Sequence, residues 1–131
     1  MKGRVLLLGG TGMIGRNILS KVEESGWEFL SPSSKDLDLT EFDNTLNFIR
    51  KENPDIIINA AGFVGGIKAN IQEPVNFLVK NLDIGRNLII SARQSGVKKL
   101  INLGASCMYP RNISNPLEEK MLLSGKFEPT N

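Results

Sequence analysis

The sequence contains no histidine. That excludes a histidine general base, a Ser-His triad and most transition-metal sites before any motif is sought. Its one cysteine, Cys107, cannot close an internal disulfide, which agrees with a reducing compartment. Long apolar runs are missing too: none reaches bilayer length, and no signal-type apolar segment follows Met1-Lys2, so the reading is a cytoplasmic protein without a membrane partner. Neither charge sign dominates. Sixteen basic against fourteen acidic residues leave +2, too weak a field to argue for nucleic acid. The 131 residues leave room for one domain, which would bury about two thirds of the surface of the unfolded chain.

What is present begins at Arg4 to Gly15, RVLLLGGTGMIG. The continuous apolar run Val5 to Leu8 reads as a strand buried on both faces. It ends in Gly9-x-x-Gly12-x-x-Gly15. Gly9 permits a sharp turn, Gly12 lets backbone approach a pyrophosphate, and Gly15 seats a helix close against the strand. A helix begun near Met13, with Ile14, Ile18, Leu19 and Val22 on its inner side, then points its N–H groups and positive dipole end at a diphosphate. Taken alone, a glycine triplet is also a plain tight turn; the strand before it and the helix after it favour dinucleotide binding. A P-loop is excluded, because Arg16 and Asn17 follow Gly15 where Lys and Ser or Thr are required.

Farther along, Gly26 stops the first helix and Trp27 to Leu30 read as a second strand, ending in Ser31-Pro32-Ser33-Ser34-Lys35. An acidic residue here would accept a ribose 2′-OH, whereas serines and a lysine suit a 2′-phosphate, so NADP is favoured. Asp36 keeps NAD open. Asp38-Leu39 reads as a short third strand, Thr40 as the N-cap of a helix carrying Phe42, Leu46 and Ile49 inward, and Ile56 to Ile58 as a central parallel strand. The small residues Asn59-Ala60-Ala61-Gly62 at its end leave space for a ligand, or for close helix packing. Glu73-Pro74 opens the longest helix, to about Ser95-Gly96, with two apolar stripes: Val75, Leu78, Leu82, Ile89 and Ala92, and Phe77, Ile84 and Leu88. Only one is needed against a sheet, and the Phe77 stripe is assigned to a helix-helix interface, a homodimer. Leu100 to Leu103 form a further strand, and a short helix is expected over Leu117 to Leu123. Strand and helix alternate throughout. The pattern implies an α/β, Rossmann-type doubly wound parallel sheet of order 3-2-1-4-5, incomplete at its C-terminal end.

Three segments carry a family resemblance: the glycine motif, Val64-Gly65-Gly66-Ile67-Lys68-Ala69-Asn70, and Gly104-Ala105-Ser106-Cys107-Met108-Tyr109-Pro110. With Leu117-Glu118-Glu119 and Glu128-Pro129-Thr130-Asn131 they resemble the GDP-L-fucose synthase family. That family is a branch of the extended short-chain dehydrogenase/reductases, also called the NAD-dependent epimerase/dehydratase family. The resemblance implies that Gly9, Thr11, Gly12, Met13, Ile14 and Gly15 hold the cofactor diphosphate. It implies further that Ser34 and Lys35 lie by the 2′-phosphate, Asp38 and Leu39 by the adenine, and Ala60 and Ala61 by the middle of NADP. The family reaction epimerises a GDP-4-keto-6-deoxy-mannose at two carbons and reduces the ketone with NADPH.

Cys107 matches the family's epimerisation cysteine, and Ala105 stands where the family has its catalytic serine, with Ser106 beside it. The family's Tyr-x-x-x-Lys is missing: Ile113 stands four residues after Tyr109, the only tyrosine. The expectation is therefore the front, NADP-binding portion of a nucleotide-sugar epimerase/reductase, inactive by itself, with the substrate domain absent and no metal. From a different class, the alternative is a non-catalytic NAD(P)-binding module that senses or docks through its long helix.

Overall fold

A computed structural model describes residues 2–22 and 25–129. Thr130 and Asn131 of the family-like segment lie outside the described residues. The elements run β1 (Arg4–Leu8), α1 (Met13–Leu19), β2 (Glu28–Leu30), α2 (Phe42–Glu52), β3 (Ile56–Asn59), α3 (Ile67–Gln72), α4 (Pro74–Gln94) and β4 (Lys99–Asn102). The chain forms two compact units, one of residues 1–63 and 78–103, the other of residues 64–77 and 104–131.

The first unit is built on a parallel sheet of order β2-β1-β3-β4. Leu6 stands opposite Leu30 on one side and Ile57 on the other, and Ile57 stands opposite Leu100. Residues Val5 to Leu8 are all buried, as a strand covered on both faces requires. Around them Leu37, Leu39, Ile49, Ile84 and Leu88 complete the core. The start of β1 is pinned by Asp55, whose carboxylate accepts from the Arg4 N–H and from Lys98 Nζ. The Lys98 hydrogen bond first, and the Arg4 one second, hold that carboxyl below its usual range.

The order observed is the expected 3-2-1-4-5 without its outer strand. Asp38-Leu39 is not a strand, because two carboxylates bend the chain there instead. Asp36 accepts from the backbone and hydroxyl of Ser33, and Asp38 from the backbone and hydroxyl of Thr40. Such local side-chain bonds compete with a sheet ladder and win. For the same reason Thr40 does not cap α2; the N-cap is Glu41, without a side-chain cap. Asn53 ends α2 in the left-handed region at φ 45°, a capping conformation asparagine tolerates, and Pro54 cannot continue the helix.

Two further expectations change. Helix α1 stops at Leu19, well before Gly26: the Ser20 hydroxyl turns back on the Asn17 carbonyl, and Val22 N–H reaches Leu19 in a tighter turn. In α4 the two stripes exchange roles. Leu88 is 0% exposed and Ile84 is buried, whereas Leu82 is 60% exposed and Leu78 and Ile89 are also open. Of the residues assigned to a partner interface, Ile84 and Leu88 thus lie in the protein's own core, together with Ala92 of the other stripe, whereas Phe77 is half-buried within the second unit.

In the second unit, α3 was not foreseen. Its first residues are held by the Asn70 amide, which donates to the carbonyls of Gly65 and Gly66. A Cβ on Gly65 would lie 2.7 Å from the Phe77 ring, so the glycine at 65 admits that ring. The helix expected over Leu117 to Leu123 is reduced to a single 3-10 turn, Glu119–Met121.

Candidate functional site

The carboxyl end of β1 turns sharply at Gly9, with φ +80°, a conformation glycine adopts without strain. A Cβ there would stand 2.6 Å from the Ala60 carbonyl, so the end of β1 lies flush with the backbone that leaves β3. The Gly12 N–H closes the turn onto the Gly9 oxygen at 3.0 Å. Gly15 is buried in α1, and a Cβ on it would come within 2.5 Å of the Gly10 Cα. Gly12 differs from both. Its Cβ would meet only the Gly9 oxygen, at 3.3 Å, so the fold itself makes a much weaker demand for glycine there. Gly12 is also the N-cap of α1, with no side-chain cap and no acidic residue in the first turn. The first N–H groups of the helix are therefore not taken up by the helix's own side chains, and Thr11, Met13 and Ile14 stand exposed around them. A cradle with that geometry suits an anionic group such as a diphosphate.

Beside it, the Ser31 hydroxyl donates to the Leu7 carbonyl at 3.0 Å, tying the loop after β2 to the end of β1. Ser34 and Lys35 are exposed at the tip of that loop. Asp36 is not pointed at a neighbour across the site: its Oδ2 accepts from Ser33 Oγ at 2.6 Å and from Ser33 N–H at 3.1 Å. These bonds, the hydroxyl one first, lower its pKa, and Thr40 lowers that of Asp38 in the same way. The Leu39 side chain is 8% exposed and sits in the core, while its carbonyl accepts from Asn87 Nδ2.

At the carboxyl end of β3, Ala60 N–H bonds the Leu8 carbonyl and Ala61 N–H the Asn59 side chain. Gly9 to Gly15, Ser34, Lys35, Asp38, Ala60 and Ala61 thus share one edge of the sheet, outside the carboxyl ends of β1, β2 and β3. In an open parallel sheet this is where ligands bind.

In the second unit, Ala105 is extended and Ser106–Met108 form a 3-10 turn closed by the Met108 N–H on the Ala105 carbonyl. Side chains therefore do not alternate as in a strand from Leu103 to Cys107. Ala105, Ser106 and Cys107 are all exposed.

Three asparagines escaped the sequence reading, and a fourth, Asn59, entered it only as a small residue. Asn59 and Asn102 bond each other at the ends of adjacent strands, Asn87 is buried against the loop at Leu39 and Thr40, and Asn81 holds Phe63. For Asn59, Asn87 and Asn102 the available signal was a polar residue on the inward side of α4 or at a strand end, where a buried amide has to be satisfied.

The model of the NAD dependent epimerase/dehydratase family matches residues 5–131. Among curated proteins, the GDP-L-colitose synthase of Yersinia pseudotuberculosis is 47% identical over 128 residues, 98% of this chain and 42% of that protein. The GDP-L-fucose synthase of Azorhizobium caulinodans is 47% identical over 131 residues, 99% of this chain and 42% of its own length. The chain thus spans about two fifths of the relatives it matches. Among solved structures, MlghC, a GDP-mannoheptose C4 reductase from Campylobacter jejuni with NADP bound, superposes with a TM-score of 0.88 at 28% identity, covering 97% of this chain and 40% of that one. A GDP-L-fucose synthetase from Naegleria fowleri bound to NADP gives 0.84 at 28% identity, covering 98% and 38%. The sheet order, the glycine turn at its switch point and these matches agree: the chain belongs to the NAD dependent epimerase/dehydratase family.

Proposed function

We propose that residues 1–131 form the NADP-binding part of a GDP-sugar epimerase/reductase of the GDP-L-fucose synthase type, with the substrate domain outside them. The observation that carries the reading is Gly12: weakly constrained by its own fold, at an uncapped helix start, in a turn whose Gly9 abuts the small Ala60-Ala61 segment. Gly9 to Gly15 would hold the diphosphate, Ser34 and Lys35 the 2′-phosphate, Asp38 and the backbone at Leu39 the adenine, and Ala60 and Ala61 the middle of the dinucleotide. When bound, NADPH supplies hydride. The hydrogen bonds from Ser33 to Asp36 favour NADP over NAD, since that carboxylate already serves the turn. Fucose and colitose synthases match at the same 47% identity, so the substrate class is what they share, a GDP-linked sugar. Cys107 would serve the epimerisation steps. A cytoplasmic location agrees with the lone cysteine, and among the described residues no helix is long and apolar enough to cross a membrane.

Fluorescence titration should detect NADPH binding by the chain, while incubation with the GDP-4-keto sugar yields no GDP-fucose. The proton-transfer pair Tyr-x-x-x-Lys is not in this sequence. No binding at millimolar NADPH refutes the cofactor assignment, and product formation by the chain alone refutes its inactivity.

A homodimer through α4 is part of the same proposal, now on the opposite stripe. Leu78, Leu82, Gly85 and Ile89 recur at heptad spacing, the three large residues are exposed, and a Cβ on Gly85 would meet nothing within 4 Å. A smooth apolar row of this kind suits a second helix at close range. Leu78→Glu with Leu82→Glu should abolish self-association in sedimentation velocity and leave NADPH affinity within about twofold, because the sheet face of α4 is untouched. An unchanged sedimentation profile counts against it.

A further inference from the structure

We infer that Asn81 is a positioning residue for the cofactor site, acting through the backbone of Phe63; this rests on the proposed NADP reading. Its side-chain amide bonds at two points to one residue eighteen positions earlier. Phe63 N–H donates to Asn81 Oδ1 at 2.9 Å, and Asn81 Nδ2 donates to the Phe63 carbonyl at 2.8 Å. That two-point contact fixes an orientation as well as a distance, as a strand partner would.

The segment so held is the one between β3 and Phe63. Its start is pinned by β1 through Ala60 N–H and by Asn59 through Ala61 N–H, with Asn59 itself held by Asn102 at 2.7 Å. Ala60, Ala61 and Gly62 have no side chains long enough to anchor themselves. At the far end the amide of Asn81 and the Lys80 ammonium, 4.2 Å from the centre of the Phe63 ring, fix the position. Asn81 is exposed. Water replaces an exposed hydrogen bond at little cost in stability, so the contact matters for where the backbone lies more than for whether the chain folds.

The test compares wild type with Asn81→Leu and Asn81→Ala, the second variant standing in should the first fail to fold. NADPH is titrated beside 2′,5′-ADP, a half-dinucleotide that reaches the Ser34-Lys35 loop but not Ala60-Ala61. Exchange of the Phe63 amide is followed in the same samples. The expected result is NADPH affinity reduced about tenfold, 2′,5′-ADP affinity within about twofold, and faster Phe63 exchange. Wild-type NADPH affinity in both variants overturns the inference. Equal losses for both ligands overturn it too, since the damage is then general. If wild type binds neither ligand while its Phe63 amide is protected, the cofactor reading itself fails and takes this role with it.

Discussion

Gly15→Ala should weaken NADPH binding by more than about a hundredfold and lower stability by about 2 kcal/mol, although alanine is the better helix former. In an ordinary helix interior the exchange would stabilise by up to about 1 kcal/mol. Here the new Cβ would fall on the Gly9 carbonyl oxygen and within 2.5 Å of the Gly10 Cα. Both are backbone atoms of the turn. Unlike the tip of a flexible side chain, they cannot step aside without moving the glycine turn as a unit. The Gly9 oxygen is also the acceptor for Gly12 N–H, so the shift breaks the bond that shapes the cradle. Gly85→Ala in the Leu78→Glu, Leu82→Glu background, where the proposed α4 interface is removed, supplies the internal control, because a Cβ there meets nothing within 4 Å and should raise stability by roughly 0.5–1 kcal/mol. Thermal unfolding and NADPH titration of the two variants decide it. A Gly15→Ala protein that melts higher and binds normally would refute the steric account.

That contrast also marks what was legible in the sequence. Glycine spacing and the continuous Val5 to Leu8 run are local signals, and the strand, turn and helix they imply are present. The β-branched run at Ile56 to Ile58 likewise became a central strand, extended to Asn59. Asp38-Leu39 was misread because an apolar residue at each second position looks the same in a strand and in a turn that buries two leucines. Leu37 and Leu39 do both face inward, but the hydrogen bonds of Asp36 and Asp38 bend the chain between them. Helix α4 does carry two stripes, but Ala92 belongs with Ile84 and Leu88 and not with Leu82, and the assignment of the stripes failed for a different reason. Periodicity gives the angle between faces and not which one meets the sheet; Ser91 and Asn87, polar yet buried, lie on the inward side and disguised it. Asn81 had no signal of its own, since a polar residue on a helix surface is the ordinary case.

The last expectation concerns Ala105, where the family resemblance calls for a hydroxyl that holds the substrate oxygen. Ser106 is the obvious substitute, and strand alternation through this segment would have turned it to the opposite side from Cys107. The structure removes that argument: β4 ends at Asn102 and Ser106–Met108 form a 3-10 turn. Another remains. Ser106 belongs to the Ser-Cys-Met-Tyr-Pro segment that carries the resemblance, so in this register it is a neighbour of the catalytic serine's position and not its occupant. Ala105 is extended and Ser106 opens the 3-10 turn, so moving the hydroxyl by one residue rotates it to a different direction. A hydrogen bond to a developing charge does not survive such a rotation without backbone movement. The test is a chimera joining residues 1–131 to the remaining length of the Azorhizobium caulinodans relative, which is 47% identical over the shared region. Ala105→Ser in that chimera should raise kcat about a hundredfold, corresponding to about 3 kcal/mol of transition-state stabilisation, and leave the KM for NADPH nearly unchanged. Ser106→Ala should then have little effect. If the chimera already turns over at the rate of the relative and Ser106→Ala silences it, the working hydroxyl is Ser106 and the turn has brought it into the place the resemblance gives to residue 105.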